Sequence, residues 1–394
     1  MSNANQDTVL IAGAGIAGLT SALFLEACGL PTKVFERREN ASAEGAGIQL
    51  TPNAMRVFDR LGLAKTIRDN AFEVNTLTVR NGKTGKPVVT VPFGDVFRKT
   101  GYPSYLVIHR HDLMTVLCDA LSKTSSTLAY GRPFESLERN GTSGVTAVFG
   151  GMREEGRCLI GADGIWSKIR PLFNDRDLTF ENRVAYRCLV DKAQVPNGAS
   201  TGDLTVWLGP NAHFVHYPVG KDRLNLVCVV RGEERAEKWS TPARKKDVLF
   251  HYGSWAKEAT NLISGGENWT RWPLFTVEPD GDWTHNRVAL IGDAAHAMVP
   301  FLAQGGAMAI EDAAVLAHAL ASNADAKDAL LDYQRERQER VFKVWVEAHQ
   351  NGRRYHWRGP MAMARDFGLR QIGGEGLARR YNWIYGWQPP ALRD

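Results

Sequence analysis

Cysteine is scarce and poorly spaced for cross-linking. The 394 residues hold five (Cys28, Cys118, Cys158, Cys188 and Cys228), and no two form a Cys-x-x-Cys. That excludes a disulfide-built scaffold, a zinc ribbon and a dithiol reductase, and it predicts a reducing, cytoplasmic setting. Long runs of one charge are missing too. The 48 Lys and Arg nearly balance the 43 Asp and Glu, for a net charge of +5, and basic residues cluster only in pairs such as Arg37-Arg38, Arg353-Arg354 and Arg379-Arg380. Nucleic-acid binding asks for a basic stripe or run, so no nucleic-acid partner is expected. A mild cationic excess suits a small anionic ligand. The uncharged stretch Thr8–Leu25 approaches the length of a membrane span. No Lys or Arg precedes it, and Gly13, Gly15 and Gly18 interrupt it, so it reads as strand, turn and helix, with no membrane partner. Internal repeats and low-complexity linkers are absent. Hydrophobic residues at 44% and charged residues at 23% are ordinary for a globular enzyme.

The chain opens with a βαβ pattern. Thr8–Ala12 is a β-branched apolar run, Leu19–Cys28 is helical and stops at Gly29 with Pro31 behind it, and Thr32–Glu36 is a second strand. Helices are expected over 53–70, over Asp112–Ser122 with Asp112 as its cap, and over Ala307–Leu320 and Ala326–His349. The middle is strand-rich, with Leu204–Leu208, Phe214–Tyr217 and Leu224–Val230 as its clearest strands. The predicted class is α/β: a Rossmann-like dinucleotide domain (1–75, 102–180 and 281–340) interrupted by a sheet-rich substrate domain (76–101 and 181–280). A helical, aromatic C-terminal segment (341–394) follows, suited to packing or to a homodimer surface.

Three segments carry chemistry. The first is Gly13-x-Gly15-x-x-Gly18, with Glu36 closing the second strand. Gly13 permits the tight turn, Gly15 admits a pyrophosphate to the backbone, Gly18 lets helix and sheet pack closely, and Glu36 can accept ribose hydroxyls. The second runs Leu159-Ile160-Gly161-Ala162-Asp163-Gly164. The third runs Val288-Ala289-Leu290-Ile291-Gly292-Asp293 and on to Pro300 and Gln304-Gly305-Gly306. Each of these two is a strand ending in a glycine–aspartate turn, and the third leads into a helix N-terminus near Gly305. The first segment alone fits FAD or NAD(P). The other two favour a flavin, because a carboxylate can bind ribityl hydroxyls and a helix N-terminus can stabilise negative charge on the reduced ring.

In this order and spacing the three segments resemble the class A flavoprotein monooxygenases, the para-hydroxybenzoate hydroxylase-like family, from Val9 to about Arg340. The resemblance implies FAD as cofactor, NAD(P)H as co-substrate and O₂ as oxidant, acting through a flavin hydroperoxide. It implies FAD contacts from Gly13, Gly15, Gly18, Glu36, Arg37, Gln49, Arg110, Asp163, Gly164, Gly292, Asp293, Pro300, Gly305 and Gly306. Arg110 comes from His109-Arg110 followed by Asp112-Leu113, and Gln49 from Gly47-Ile48-Gln49-Leu50 ahead of Pro52-Asn53. Within the family, Gly209–Pro218 and Leu302-Ala303-Gln304-Gly305 are most similar to the branch acting on hydroxybenzoate, salicylate and hydroxynicotinate. That places His213, Tyr217 and Gln304 beside the substrate.

The chemistry supports those residue types independently. An electrophilic oxygen attacks an aromatic ring best when its phenol is deprotonated, and histidine is the natural proton acceptor near neutral pH. His213 and Tyr217 would share one face of a strand, about 13 Å apart, and flank a ring, with His216 on the other face. Arg187, Arg231 and Arg271 are the middle-region cations available to an acid group. No metal is expected: His109-x-His111 lacks a third ligand, and in Asp293-x-x-His296 the aspartate is assigned to flavin and the histidine to helix packing. The rival reading is another flavoenzyme on this scaffold, a halogenase or a flavin-dependent reductase. The chain lacks the Trp-x-Trp-x-Ile element of the former.

Overall fold

The structure, a computed structural model, describes residues 7–41, 46–195, 202–220, 222–232 and 240–391. Val9–Ala12 is buried on both faces, as a central parallel strand must be. It lies between Cys158–Gly161 and Thr32–Phe35 in a six-stranded sheet. Val288–Leu290 flanks Cys158–Gly161, Thr127–Ala129 flanks Thr32–Phe35, and Thr284–His285 pairs antiparallel at one edge. The register pairs Ala12 with Gly161 and Gly161 with Leu290. All three glycine-bearing turns therefore emerge side by side at the carboxyl ends of neighbouring parallel strands, where open α/β sheets bind ligands.

The glycines make this alignment possible. A Cβ on Gly18 would lie 1.9 Å from the Gly13 carbonyl oxygen, and one on Gly13, at φ +107°, would lie 2.3 Å from the Ala162 oxygen. The helix Ile16–Ala27 packs on the sheet at a distance no side chain permits.

An eight-stranded sheet takes its strands from 77–91 and 179–276, in the order Thr241–Ala243, Trp269–Thr276, Thr179–Asp191, Arg223–Arg231, Ala212–Val219, Leu204–Gly209, Leu77–Asn81, Pro87–Val91. The chain is thus an α/β protein in which a Rossmann-like unit is interrupted by a second sheet and closed by C-terminal helices. One face of the large sheet (Phe214, Leu226, Cys228) is covered by Val248, Tyr252 and Leu262. The other face turns towards the nucleotide-type unit. No helix among the described residues is long and apolar enough to cross a membrane.

Several local expectations change. The 53–70 helix is two, Pro52–Arg60 and Ala64–Asp69, separated at Gly62 with φ +70°. The next helix begins at Arg110 with His109 as its cap, and Asp112 sits in its first turn, where a carboxylate still favours the helix dipole. One helix runs unbroken from Ala326 to Tyr355, across residue 340. The aromatic tail packs inward, with Arg340 Nη1 donating to the Trp383 carbonyl at 2.8 Å and Arg56 to those of Tyr385 and Trp387.

The helix Gly305–Ser322 buries two carboxylates completely, Glu311 and Asp312. Arg337 donates to both, at 2.7 and 2.9 Å, and Arg340 chelates Glu311 at 2.7 and 2.8 Å. Asp312 Oδ2 also meets His296 Nε2 at 2.6 Å and accepts the Gly292 N–H at 3.0 Å. Burial pushes the Asp312 pKa up, but its contacts with His296 and Arg337 outweigh burial and hold it below its usual range. Removing one member of such a buried network leaves an uncompensated charge. Arg337→Met is expected to cost about 3–5 kcal/mol of stability in urea unfolding. A loss below about 1 kcal/mol would show that the carboxylates are satisfied without it.

Candidate active site

The nucleotide end is built for a phosphate-bearing ligand. A Cβ on Gly15 would meet nothing within 4 Å, so the turn is open where a pyrophosphate would approach. Gly15 caps the helix Ile16–Ala27 with no side-chain partner, which leaves the first-turn N–H groups for a ligand. Glu36 is buried, with Oε2 accepting from Ala14 N–H at 2.9 Å and Oε1 from Arg38 N–H at 3.0 Å. Arg37 is exposed beside it. Asp163 Oδ2 accepts from Lys168 N–H at 2.8 Å, while its Oδ1 is buried without a partner. Burial raises its pKa, and an arriving hydroxyl donor would satisfy the free oxygen. Gly164 follows at φ +78° with open space around it. These are the features that FAD requires, and they fit it.

The flavin end converges on the same crevice. Asp293 is exposed just past Gly292 and acts electrostatically on Arg110, which burial otherwise destabilises as a cation. A Cβ on Gly306 would press on Ile48 at 3.0 Å, so the helix start at Gly305 lies against the strand Gly47–Leu50. Gln49 accepts a hydrogen bond from the Tyr105 hydroxyl. Pro300 opens a short 3-10 turn, Pro300–Leu302, that ends at Ala303 with φ +54°.

Across this crevice lies the free face of the large sheet. Register places Ala185, Val229 and His213 in one row, Arg187, Val227 and Val215 in the next, and Asn225 and Tyr217 in the third. His213 and Tyr217 share this face, and His216 points the other way, fully buried beside Trp207 and Phe214. The Tyr217 hydroxyl donates to the Gly47 carbonyl at 3.0 Å, so this face docks directly on the flavin-side strand. Phe301 and Tyr355 stand edge-on to the His213 ring at 5.0 and 5.4 Å. Asn225 is wholly buried, with neither amide atom partnered.

His213 has a partner that local sequence pattern did not reveal. Its Nδ1 lies 2.7 Å from Nε2 of His356, which caps the helix Ala326–Tyr355. Burial, with help from Arg183, holds His213 at about 3. Burial, then His213, holds His356 at about 2. Both rings are neutral at pH 7, so a single hydrogen sits between them and the tautomer of one fixes that of the other. The other ring nitrogen of His213, Nε2, remains for a ligand. The two histidines are 143 residues apart, which is why no spacing rule pairs them.

Gln304 departs from expectation. It is 1% exposed, its Nε2 donates to Thr51 Oγ1 at 3.0 Å, and its Oε1 accepts from Asn53 Nδ2 at 3.1 Å. Asn53 Nδ2 also donates to Glu311 at 2.7 Å. Both amide atoms of the side chain are thus engaged in the buried network. Of the candidate cations, Arg271 pairs in register with Tyr186 and so belongs to the far face, Arg231 is exposed at a strand end, and Arg187 lies mid-face. Among the described residues no group of three His, Cys, Asp or Glu is placed to hold a metal.

The chain is similar to known proteins over nearly its whole length. The chain is 34% identical over 384 residues to 3-hydroxybenzoate 6-hydroxylase of Polaromonas naphthalenivorans, covering 96% of each chain. It is 34% identical over 391 residues to 3-amino-4-hydroxybenzoate 2-monooxygenase PtmB3 of Streptomyces platensis, covering 98% of this chain and 97% of that one. Its fold matches crystalline Klebsiella pneumoniae HpxO, complexed with FAD and uric acid, with a TM-score of 0.84 at 24% identity, over 98% of each chain. The FAD binding domain family matches residues 6–348, and the chain belongs to that family.

Proposed function

We propose that this chain is a single-component FAD-dependent monooxygenase that hydroxylates a phenolic or heteroaromatic carboxylic acid, using NAD(P)H and O₂. The observation that carries the reading is the docking of the His213/Tyr217 face on the Gly47 strand, which sets an apolar floor with polar corners against the flavin end of the crevice. Bound FAD supplies electron transfer from NAD(P)H and the activation of oxygen. Gly13, Gly15, Gly18, Glu36, Asp163 and Asp293 would hold it, with Arg110, Gln49, Gly305 and Gly306 near its ring. Both relatives are named for hydroxylation of a hydroxybenzoate, which supports this reading over a halogenase or a reductase.

The protein's own part is to hold the ring and draw on its phenolic proton. With its hydrogen on Nδ1 directed to His356 Nε2, His213 presents a bare Nε2 that accepts the hydrogen bond of a substrate phenol, orienting the ring and polarising its O–H towards the electron-rich phenolate. Tyr217, committed to Gly47, braces the loop and the far edge of the ring. Gln304 positions the turn before Gly305 and does not touch substrate. On this reading the large sheet is the substrate unit and the remainder of the chain up to the C-terminal helices is the flavin unit. Free cysteines suit a cytoplasmic setting, where they stay reduced.

Anaerobic stopped-flow reduction with NADH and NADPH tests the activity. One acid among hydroxybenzoates, salicylate and hydroxynicotinates should speed flavin reduction ~10-fold or more. Equal rates with and without every acid would overturn the assignment. His213→Gln should keep FAD and lose product formation by about 10²–10⁴-fold, seen as NAD(P)H oxidised without hydroxylation. Coupled turnover at the parental rate removes His213 from the proton path. Because burial lowers the His213 pKa, its neutral form persists as pH falls from 8 to about 5, and kcat/KM should show no acid limb near pH 6.5. An acid limb there that disappears in His213→Gln contradicts the neutral pair.

A further inference from the structure

Arg187 is a half-buried cation on which no carboxylate among the described residues acts. Its Nε is buried and makes no hydrogen bond, and its guanidinium lies over the Trp272 ring at 5.5 Å. No carboxylate among the described residues acts on it: burial lowers its pKa, Tyr217 partly restores it, and the like charge of Arg110 lowers it further. A guanidinium in that position is costly unless a ligand supplies the counter-charge.

Register fixes where it stands. Arg187 opposes Val227, which opposes Val215, the residue midway between His213 and Tyr217. It is therefore about 10 Å from the His213 strand across two strand spacings, and about 7 Å along the strand from the His213 row. Ala185, Val227 and Val229 lie between as an apolar floor. The guanidinium leans over Trp272 on the neighbouring strand, so the floor between it and His213 leaves room for an aromatic ring with a polar group at each end. Tyr217 is equally near in register, but its hydroxyl is engaged with Gly47, whereas His213 keeps Nε2 for a ligand.

We propose that Arg187 is the carboxylate anchor of the substrate site, holding an aromatic acid by a charge-assisted fork and setting its hydroxyl against His213. This deepens, and rests on, the hydroxylase reading. It explains why the site would select acids over neutral phenols: without the carboxylate, Arg187 Nε stays buried and unpaired. Bidentate geometry also makes lysine an incomplete substitute.

The test is equilibrium binding of benzoate and 3-hydroxybenzoate, each against its neutral amide, to the FAD-loaded enzyme, read from the flavin absorbance. The parent should prefer each acid, Arg187→Met should weaken acid binding about 100-fold while moving the amides less than about 3-fold, and Arg187→Lys should recover part of the loss. Equal weakening for acid and amide would assign Arg187 to the flavin or the fold and overturn the anchor, as would unchanged acid affinity in Arg187→Met or a parent without acid preference. Because binding alone is read, acid selectivity lost in Arg187→Met upholds the anchor even if no acid is hydroxylated. In that case only the hydroxylase reading fails.

Discussion

The Glu311–Asp312–Arg337–Arg340 cluster is the constraint on which the placement of both halves of the site depends. Two carboxylates fully removed from water tolerate little displacement, because each lost contact exposes a charge to a low-dielectric interior. Through Asp312 the cluster grips the Gly292 amide and so sets the turn that presents Asp293. Through Glu311 and Asn53 it grips Gln304 and so sets the start of the helix at Gly305. Through Arg340 it holds the tail at Trp383. Cofactor-facing backbone is positioned from behind by electrostatics, which leaves the crevice side of those turns free for a ligand.

The nucleotide-type unit was legible in the sequence because its constraints are local. Gly18 meets the Gly13 carbonyl within one turn, Gly13 takes a positive φ, Gly15 leaves the turn open, and the buried strands beside them are short apolar runs. The sharing of one sheet face by His213 and Tyr217 also follows from strand periodicity alone. What escaped were long-range pairings. His356 reaches His213 only because a 30-residue helix ends there, and Gln304 looks exposed in a glycine-rich loop until Thr51 and Asn53 are folded onto it. The break at Gly62 was missed because apolar periodicity continues across it while the backbone turns left-handed.

The substrate face shows how a sheet divides labour. Its outer surface is closed by Tyr252, Val248 and Leu262, and His216 is spent there as packing. Its inner surface keeps Arg187 Nε and one nitrogen of His213 without a protein partner. Folding leaves these groups unsatisfied at a cost to stability, and a bound ring with polar ends would recover it. Alternation of side chains along three strands suffices to separate the two surfaces.

The helix Ala326–Tyr355 joins the two systems. Arg337 and Arg340 sit in the charge cluster, and His356 caps the end, 19 residues beyond Arg337 or roughly 28 Å at the rise of an α-helix. It acts as a ruler between the seat of the cofactor and the proton acceptor. Lengthening it by one residue would rotate His356 by about 100° and shift it by about 1.5 Å, losing the imidazole pair without touching either binding surface. A change of length inside this segment would therefore break the pair, whereas the sheet can change the side chains that face the crevice without changing length.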